Sequence, residues 1–221
     1  MAYLDTFKSR VNAFGINEEG KVTSLGKTDF ENYLNNSPNA FDVLINGLNE
    51  VRISIQDHSD TDKKDDFKIL LSRTEDNINA GDFFNWRNNN WLIITKQYKT
   101  IETCDKFIIS ICNNTISFPS TITKTKVGTD SLGRPIYESV EGTLDTFNCV
   151  ASTKQYSFDD NRNVNLPYNN LSVTMSYSTN ENIKEGKTFN MYGLDYKIIG
   201  IDYSKVLNNV GIIQLLADRV I

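Results

Sequence analysis

One fifteen-residue pattern occurs twice in this chain. GDFFNWRNNNWLIIT spans Gly81–Thr95, and GKTFNMYGLDYKIIG spans Gly186–Gly200, at an offset of 105 residues. Each copy reads as a β-hairpin, with apolar positions alternating on either side of turn-forming residues. Without gaps, the same offset pairs Thr74 with Thr179, Asn77 with Asn182, Ile78 with Ile183 and Tyr98 with Tyr203. Within the hairpins it pairs Phe84 with Phe189, Trp86 with Met191, Trp91 with Tyr196 and Ile93 with Ile198. Further on, Phe107 meets Ile212 and Ile111 meets Leu216. The matching sites are a turn glycine and one alternating face, so the copies share a core pattern and differ on their surfaces. The tips, Asn88-Asn89-Asn90 and Gly193-Leu194-Asp195, differ in sequence but are both turn chemistry. The chain is therefore expected to contain two copies of one β module.

The rest of the chain is placed around that pair. Leu4, Phe7, Val11 and Phe14 fall on one helical face, and Gly15 stops the helix. Residues 16–23 read as polar and turn-like. A second short helix is expected from about Ser24 or Thr28 to Leu34, ended by Asn35–Pro38. Phe41–Ile45 and Val51–Ile55 flank Asn46-Gly47, a strong hairpin signal. A charged loop, 57–66, leads to a strand at Phe67–Leu71. In the middle, Thr121–Val127 and Ile136–Val140 flank Asp130-Ser131-Leu132-Gly133-Arg134-Pro135, a hairpin with polar arms that has little to bury. Thr143–Val150 is a further strand.

The expected fold is mainly β: two similar small β-barrel-like modules in tandem, short N-terminal helices and a projecting middle hairpin. The segments are 1–38 (helical), 39–118 (first β module), 119–168 (connecting strands and hairpin) and 169–221 (second β module). The expected structural core is Phe84, Trp86, Trp91, Ile93, Phe189, Met191, Tyr196 and Ile198.

No catalytic set is expected. His58 is the only histidine and lies in the charged loop, which excludes zinc sites needing two. No GxSxG, GxGxxG or Walker-type loop occurs. The Asp-rich loop lacks the bend glycine and closing Glu of an EF-hand, so it reads as solvated. No metal or cofactor is expected. Cys104, Cys112 and Cys149 have no metal-type spacing and read as reduced, buried thiols. Met1–Lys8 has no basic, apolar leader pattern, and no stretch reaches the ~18 apolar residues of a membrane span. The net charge of −5 argues against gripping nucleic acid but suits a wall past which nucleic acid slides.

The order YLDTFKSRVNAFG, SPNAFDVLINGLNEVRISIQD, GDFFNWRNNNWLIITKQYKT and FIISICNNTISF resembles head–tail connector proteins of tailed bacteriophages from low-GC Gram-positive hosts. The pattern GDxxxWxxxxWLI is similar to the head-closure, or stopper, class. The resemblance implies a non-enzymatic virion protein, assembled in the host cytoplasm into a ring of six or twelve in the phage neck. A portal or adaptor ring would lie above it, and a tail terminator or tail tube below. Genomic DNA would pass through without sequence recognition, and no membrane would be involved.

Two elements are candidates for subunit contact or for lining the channel. One is the acidic loop with Asp57, Asp60, Asp62, Asp65 and Asp66. The other is the tip Asp130, Ser131, Leu132, Gly133, Arg134 and Pro135. The alternatives are another tail or baseplate adaptor or completion protein and, in a different class, a carbohydrate- or single-stranded nucleic-acid-binding module using Trp86 and Trp91.

Overall fold

The computed structural model describes residues 18–58, 66–98, 103–120, 123–140, 143–156, 163–165 and 170–220. The helix expected over 3–14 lies outside these residues, as do Asp60, Asp62 and Asp65. The chain forms two compact units, 1–111 and 112–221.

In the first unit, helix α1 (Glu18–Asn36) is continuous from Glu18, so the described part of the stretch read as a turn over 16–23 is helical. Tertiary contacts fix the C-terminal half of this helix. The Tyr33 hydroxyl lies 2.9 Å from the Ser54 hydroxyl, and Gln56 donates to it at 2.9 Å. Arg52 Nε donates to the Leu34 carbonyl at 3.0 Å, satisfying a helix-end acceptor. Arg73 pairs with Glu31. Gly26, unfavourable in a helix interior, lets the helix approach Thr103, because a Cβ there would collide with Thr103 Cγ2.

Six strands follow: β1 (Ala40–Ile45), β2 (Asn49–Asp57), β3 (Phe67–Ser72), β4 (Phe83–Trp86), β5 (Asn89–Gln97) and β6 (Asp105–Ile111). They close a barrel in the order β1-β2-β3-β6-β5-β4. Asn46 (φ 52°) and Gly47 (φ 72°) make the β1–β2 turn, as their left-handed preference dictates. The β4–β5 turn is Arg87-Asn88, both at positive φ, with Trp86 opposite Asn89. The tip therefore takes in only the first residue of the run Asn88-Asn89-Asn90, and Asn89 and Asn90 belong to β5. Closure rests on one register pair, Ile45 opposite Phe84. There the Asn46 N–H donates to the Phe83 carbonyl at 2.8 Å, and the Phe83 N–H donates to Asn46 Oδ1 at 3.0 Å.

The second unit contains β7 (Asn114–Pro119), β8 (Thr123–Thr129), β9 (Pro135–Val140), β10 (Leu144–Ser152), β11 (Lys154–Tyr156) and β12 (Asn163–Asn165). It continues with β13 (Asn170–Ser176), β14 (Thr188–Met191), β15 (Leu194–Asp202), β16 (Val206–Leu207) and β17 (Val210–Arg219). Its main sheet runs β14-β15-β17-β13-β10-β7, the order of the first barrel with each strand replaced by its counterpart. Strand β7 therefore belongs to the second sheet, although the sequence reading carries the first module to residue 118. Likewise β10 is a barrel strand and not only part of a connector.

Strand registers extend the repeat well beyond the hairpin. The Gly81 and Gly186 N–H groups donate to the Ile93 and Ile198 carbonyls at 2.8 Å each. Both β5 and β15 bulge at the same place, Ile93/Thr95 and Ile198/Gly200. Beyond it the uniform offset fails: Ile93 lies opposite Ile109 but Ile198 lies opposite Ala217, so 105 becomes 108. The counterpart of Phe107 is Leu215, not Ile212. Tracing each ladder outward pairs Val43, Ile45, Ile53, Ile55 and Leu70 with Ile116, Phe118, Cys149, Ala151 and Val173. All ten are buried in their respective cores.

Candidate functional site

The closed first barrel and the barrel-like sheet of the second unit, whose end strands β7 and β14 share no ladder, differ chiefly in their connections. Between β1 and β2 the first barrel has the three residues Asn46–Leu48; between β7 and β10, the second inserts the β8–β9 hairpin. This hairpin forms its own two-stranded sheet and pairs with no other described strand. At its tip the Gly133 N–H donates to the Asp130 carbonyl at 3.0 Å, and the Asp130 N–H donates to the Arg134 carbonyl at 2.8 Å. Asp130 Oδ1 accepts from the Leu132 and Arg134 N–H groups at 2.9 and 2.8 Å. Gly133 sits at φ 78°, the left-handed position such a turn requires. Ser131, Leu132, Gly133, Arg134 and Pro135 are exposed. Asp130 thus builds the tip, and its neighbours present it.

Val127, Leu132, Ile136 and Tyr137 are 55%, 74%, 49% and 56% exposed. A free hairpin with both edges unpaired and apolar side chains in water is marginal by itself.

The second unit has another exposed element at the same end, in a connection whose register is three residues longer than its counterpart's. In an antiparallel barrel, the β7–β10, β13–β14 and β15–β17 connections share one rim. In the last of these, β16 folds back on β17 around Asn208-Asn209, both at positive φ. It presents Tyr203, Leu207 and Val210 at 49%, 69% and 45% exposure. Sequence reasoning missed this tip because the ungapped repeat ran straight through it. The signal was Asn-Asn between Val-Leu and Val-Gly.

The acidic loop is described only at its ends. Asp57 pairs with Lys68 at 2.6 Å, and the Asp66 carbonyl accepts from the Ile111 N–H at 3.3 Å. Both contacts fasten the loop's ends to neighbouring strands.

The tryptophans face inward. Trp91 is 4% exposed, and Phe84, Ile93, Phe189, Met191, Tyr196 and Ile198 are also buried. Trp86 is half-buried at the seam where β1 and β4 diverge. Its ring meets Phe41 at 5.3 Å and Trp91 at 5.7 Å, both edge-on, and Arg87 lies 4.5 Å above it. These rings plug the seam, so Trp91 has no open face for stacking a base or a sugar.

Among the described residues, no group of three or more His, Cys, Asp or Glu gathers as metal ligands. Cys104 and Cys149 are buried, and burial pushes the Cys112 and Cys149 thiols up to about 12. Among the same residues, no helix is long and apolar enough to cross a membrane.

Residues 12–106 match the YomX N-terminal domain, and residues 97–218 match the YomX C-terminal domain. The two matches overlap over 97–106, so the second begins within the first unit. The SPbeta prophage-derived uncharacterized protein YomX of Bacillus subtilis (strain 168) is 27% identical over 219 residues, 96% of this chain and 97% of that protein. No solved structure matches the chain significantly.

Proposed function

Since the chain belongs to the YomX family, we propose that it is a phage structural protein, a ring subunit of the neck that joins the DNA-filled head to the tail and closes the DNA channel. The prophage origin of its relative supports a phage setting. The closed barrel and the barrel-like sheet of the second unit supply the scaffold, and the net charge of −5 suits a channel wall that does not hold DNA.

The observation that carries the reading is the unpaired β8–β9 hairpin. It replaces a three-residue turn of the duplicated scaffold and leaves apolar side chains without cover. Deleting 126–138 tests it. The shortened chain is expected to fold and to keep both barrels, while filled heads and tails accumulate unjoined. Normal yields of infectious particles from the deletion would contradict the reading.

A further inference from the structure

We propose that residues 3–14, which precede α1, dock as a helix across the outer face of the first barrel, with Leu4, Phe7, Val11 and Phe14 packed on Phe83, Leu92, Ser110 and Phe67. Along β5, Trp91 and Ile93 belong to the barrel core, so the alternating Leu92 points outward. Register carries that outward row across four strands. Phe83 lies opposite Leu92, Leu92 opposite Ser110, and Ser110 opposite Phe67. The outward positions of a barrel ordinarily meet water, yet Leu92, Ser110 and Phe67 are 0%, 1% and 6% exposed. None of the four belongs to either barrel's core. Among the described residues α1 is the only α-helix, and it packs on β1 and β2.

Length and position both favour this segment as the occupant. Leu4, Phe7, Val11 and Phe14 fall on one helical face, and from Leu4 to Phe14 a helix rises about 15 Å. The three gaps between four neighbouring strands, about 4.8 Å each, span about 14 Å, so one apolar side chain meets each strand. The path of α1 fixes where the segment starts. Going toward its N-terminus, the Leu34 carbonyl accepts from Arg52 of β2, Glu31 pairs with Arg73 at the end of β3, and Gly26 lies against Thr103 just before β6. The next strand in barrel order is β5, so the chain ahead of Glu18 emerges on the side that carries the outward row. It also shares that row's compact unit. Without this cover the row would be an apolar patch open to another copy.

The test places a photoreactive phenylalanine analogue at Phe7 in the purified full chain, irradiates it and sequences the crosslinked peptides. The expected product keeps the single-chain mass of 25.1 kDa and joins residue 7 to the peptides that carry Phe67, Phe83, Leu92 or Ser110. Adding Val11→Asp is expected to lower its yield by about tenfold or more, the scale set by losing one buried apolar side chain. Ser9→Asp, on the opposite helical face, should leave the yield unchanged. A product joining two chains, crosslinks outside the row or within 112–221, no crosslink, or equal losses from both substitutions would overturn the docking and leave the neck reading standing.

Discussion

Pro119 occupies in the second barrel the position that Asn46 occupies in the first. Asn46 closes its barrel through a backbone N–H to the Phe83 carbonyl. Proline has no N–H, so the equivalent bond to Thr188 cannot form, and no ladder joins β7 to β14. Side chains hold this seam instead. The Phe118 and Phe189 rings meet at 6.2 Å, and Asn180 and Asn182 donate to the Pro119 carbonyl at 3.0 and 2.8 Å.

Pro119→Ala restores the missing donor. The new hydrogen bond contributes roughly 1 kcal/mol. Losing proline's restriction of the unfolded chain costs a similar ~0.4–1 kcal/mol, so net stability should barely change. Amide exchange is the sharper readout. The N–H that the substitution introduces is expected to be protected to about the degree of the Asn46 N–H. Exchange at the rate of an unstructured amide would show that the seam does not accept the bond.

Asn180→Ala removes more than Asn182→Ala. Asn180 also donates to Asp145 Oδ2 at 2.7 Å and accepts from the Asn182 N–H at 2.8 Å. A loss of about 1–3 kcal/mol is expected for Asn180→Ala and about 1 kcal/mol for Asn182→Ala, read from urea midpoints by circular dichroism. Equal effects would mean that the Asp145 contact adds nothing.

Much of the fold was legible because its signals are local. Asn46-Gly47, the glycines at 81 and 186, and the alternation through Ile93 and Ile198 each specify a turn or a face within a few residues. The first two strands of the second barrel were not recognised as such, because the inserted arm changes their spacing. Val43 and Ile116 are 73 residues apart, whereas Ile93 and Ile198 are 105 apart. An ungapped match also cannot register the turn at Asn208-Asn209, and the apolar residues Ile212, Ile213, Leu215 and Leu216 mask a slip of three. Of the candidate site, the arm and its Asp130 tip could be read in advance. The Tyr203–Leu207–Val210 patch could not, since burial depends on which residues end up opposite one another.

Gly26→Ala should fail to deliver the ~1 kcal/mol that alanine normally adds over glycine in a helix, because the new methyl meets Thr103. In a Thr103→Ala background the same change should recover only part of that amount, because the Cβ of residue 103 still lies 3.2 Å from the new methyl. Thermal melts of the four-member cycle decide it. Stabilisation by Gly26→Ala in the parent would mean that α1 does not pack tightly on Thr103.

Glu31 titrates below the usual carboxylate range, chiefly through its hydrogen bond to Arg73. Its folded-state value is depressed, so its contribution is present above pH ~4.5 and lost as pH falls through that lower value. The pair is partly exposed, so the contribution is under about 1 kcal/mol. Glu31→Gln should lower stability at pH 7 and have little effect at pH 2–3. An undiminished difference at low pH would show that the loss is one of packing and not of charge.

The central claim is that this chain is a neck-ring subunit joined through its second-barrel arm. Electron microscopy of intact particles, with the chain identified by its side-chain density, tests this most directly. The account predicts a six- or twelvefold ring between portal and tail, with each β8–β9 hairpin in contact with another protein surface. Particles that lack the chain, or that carry it outside the neck, would contradict it.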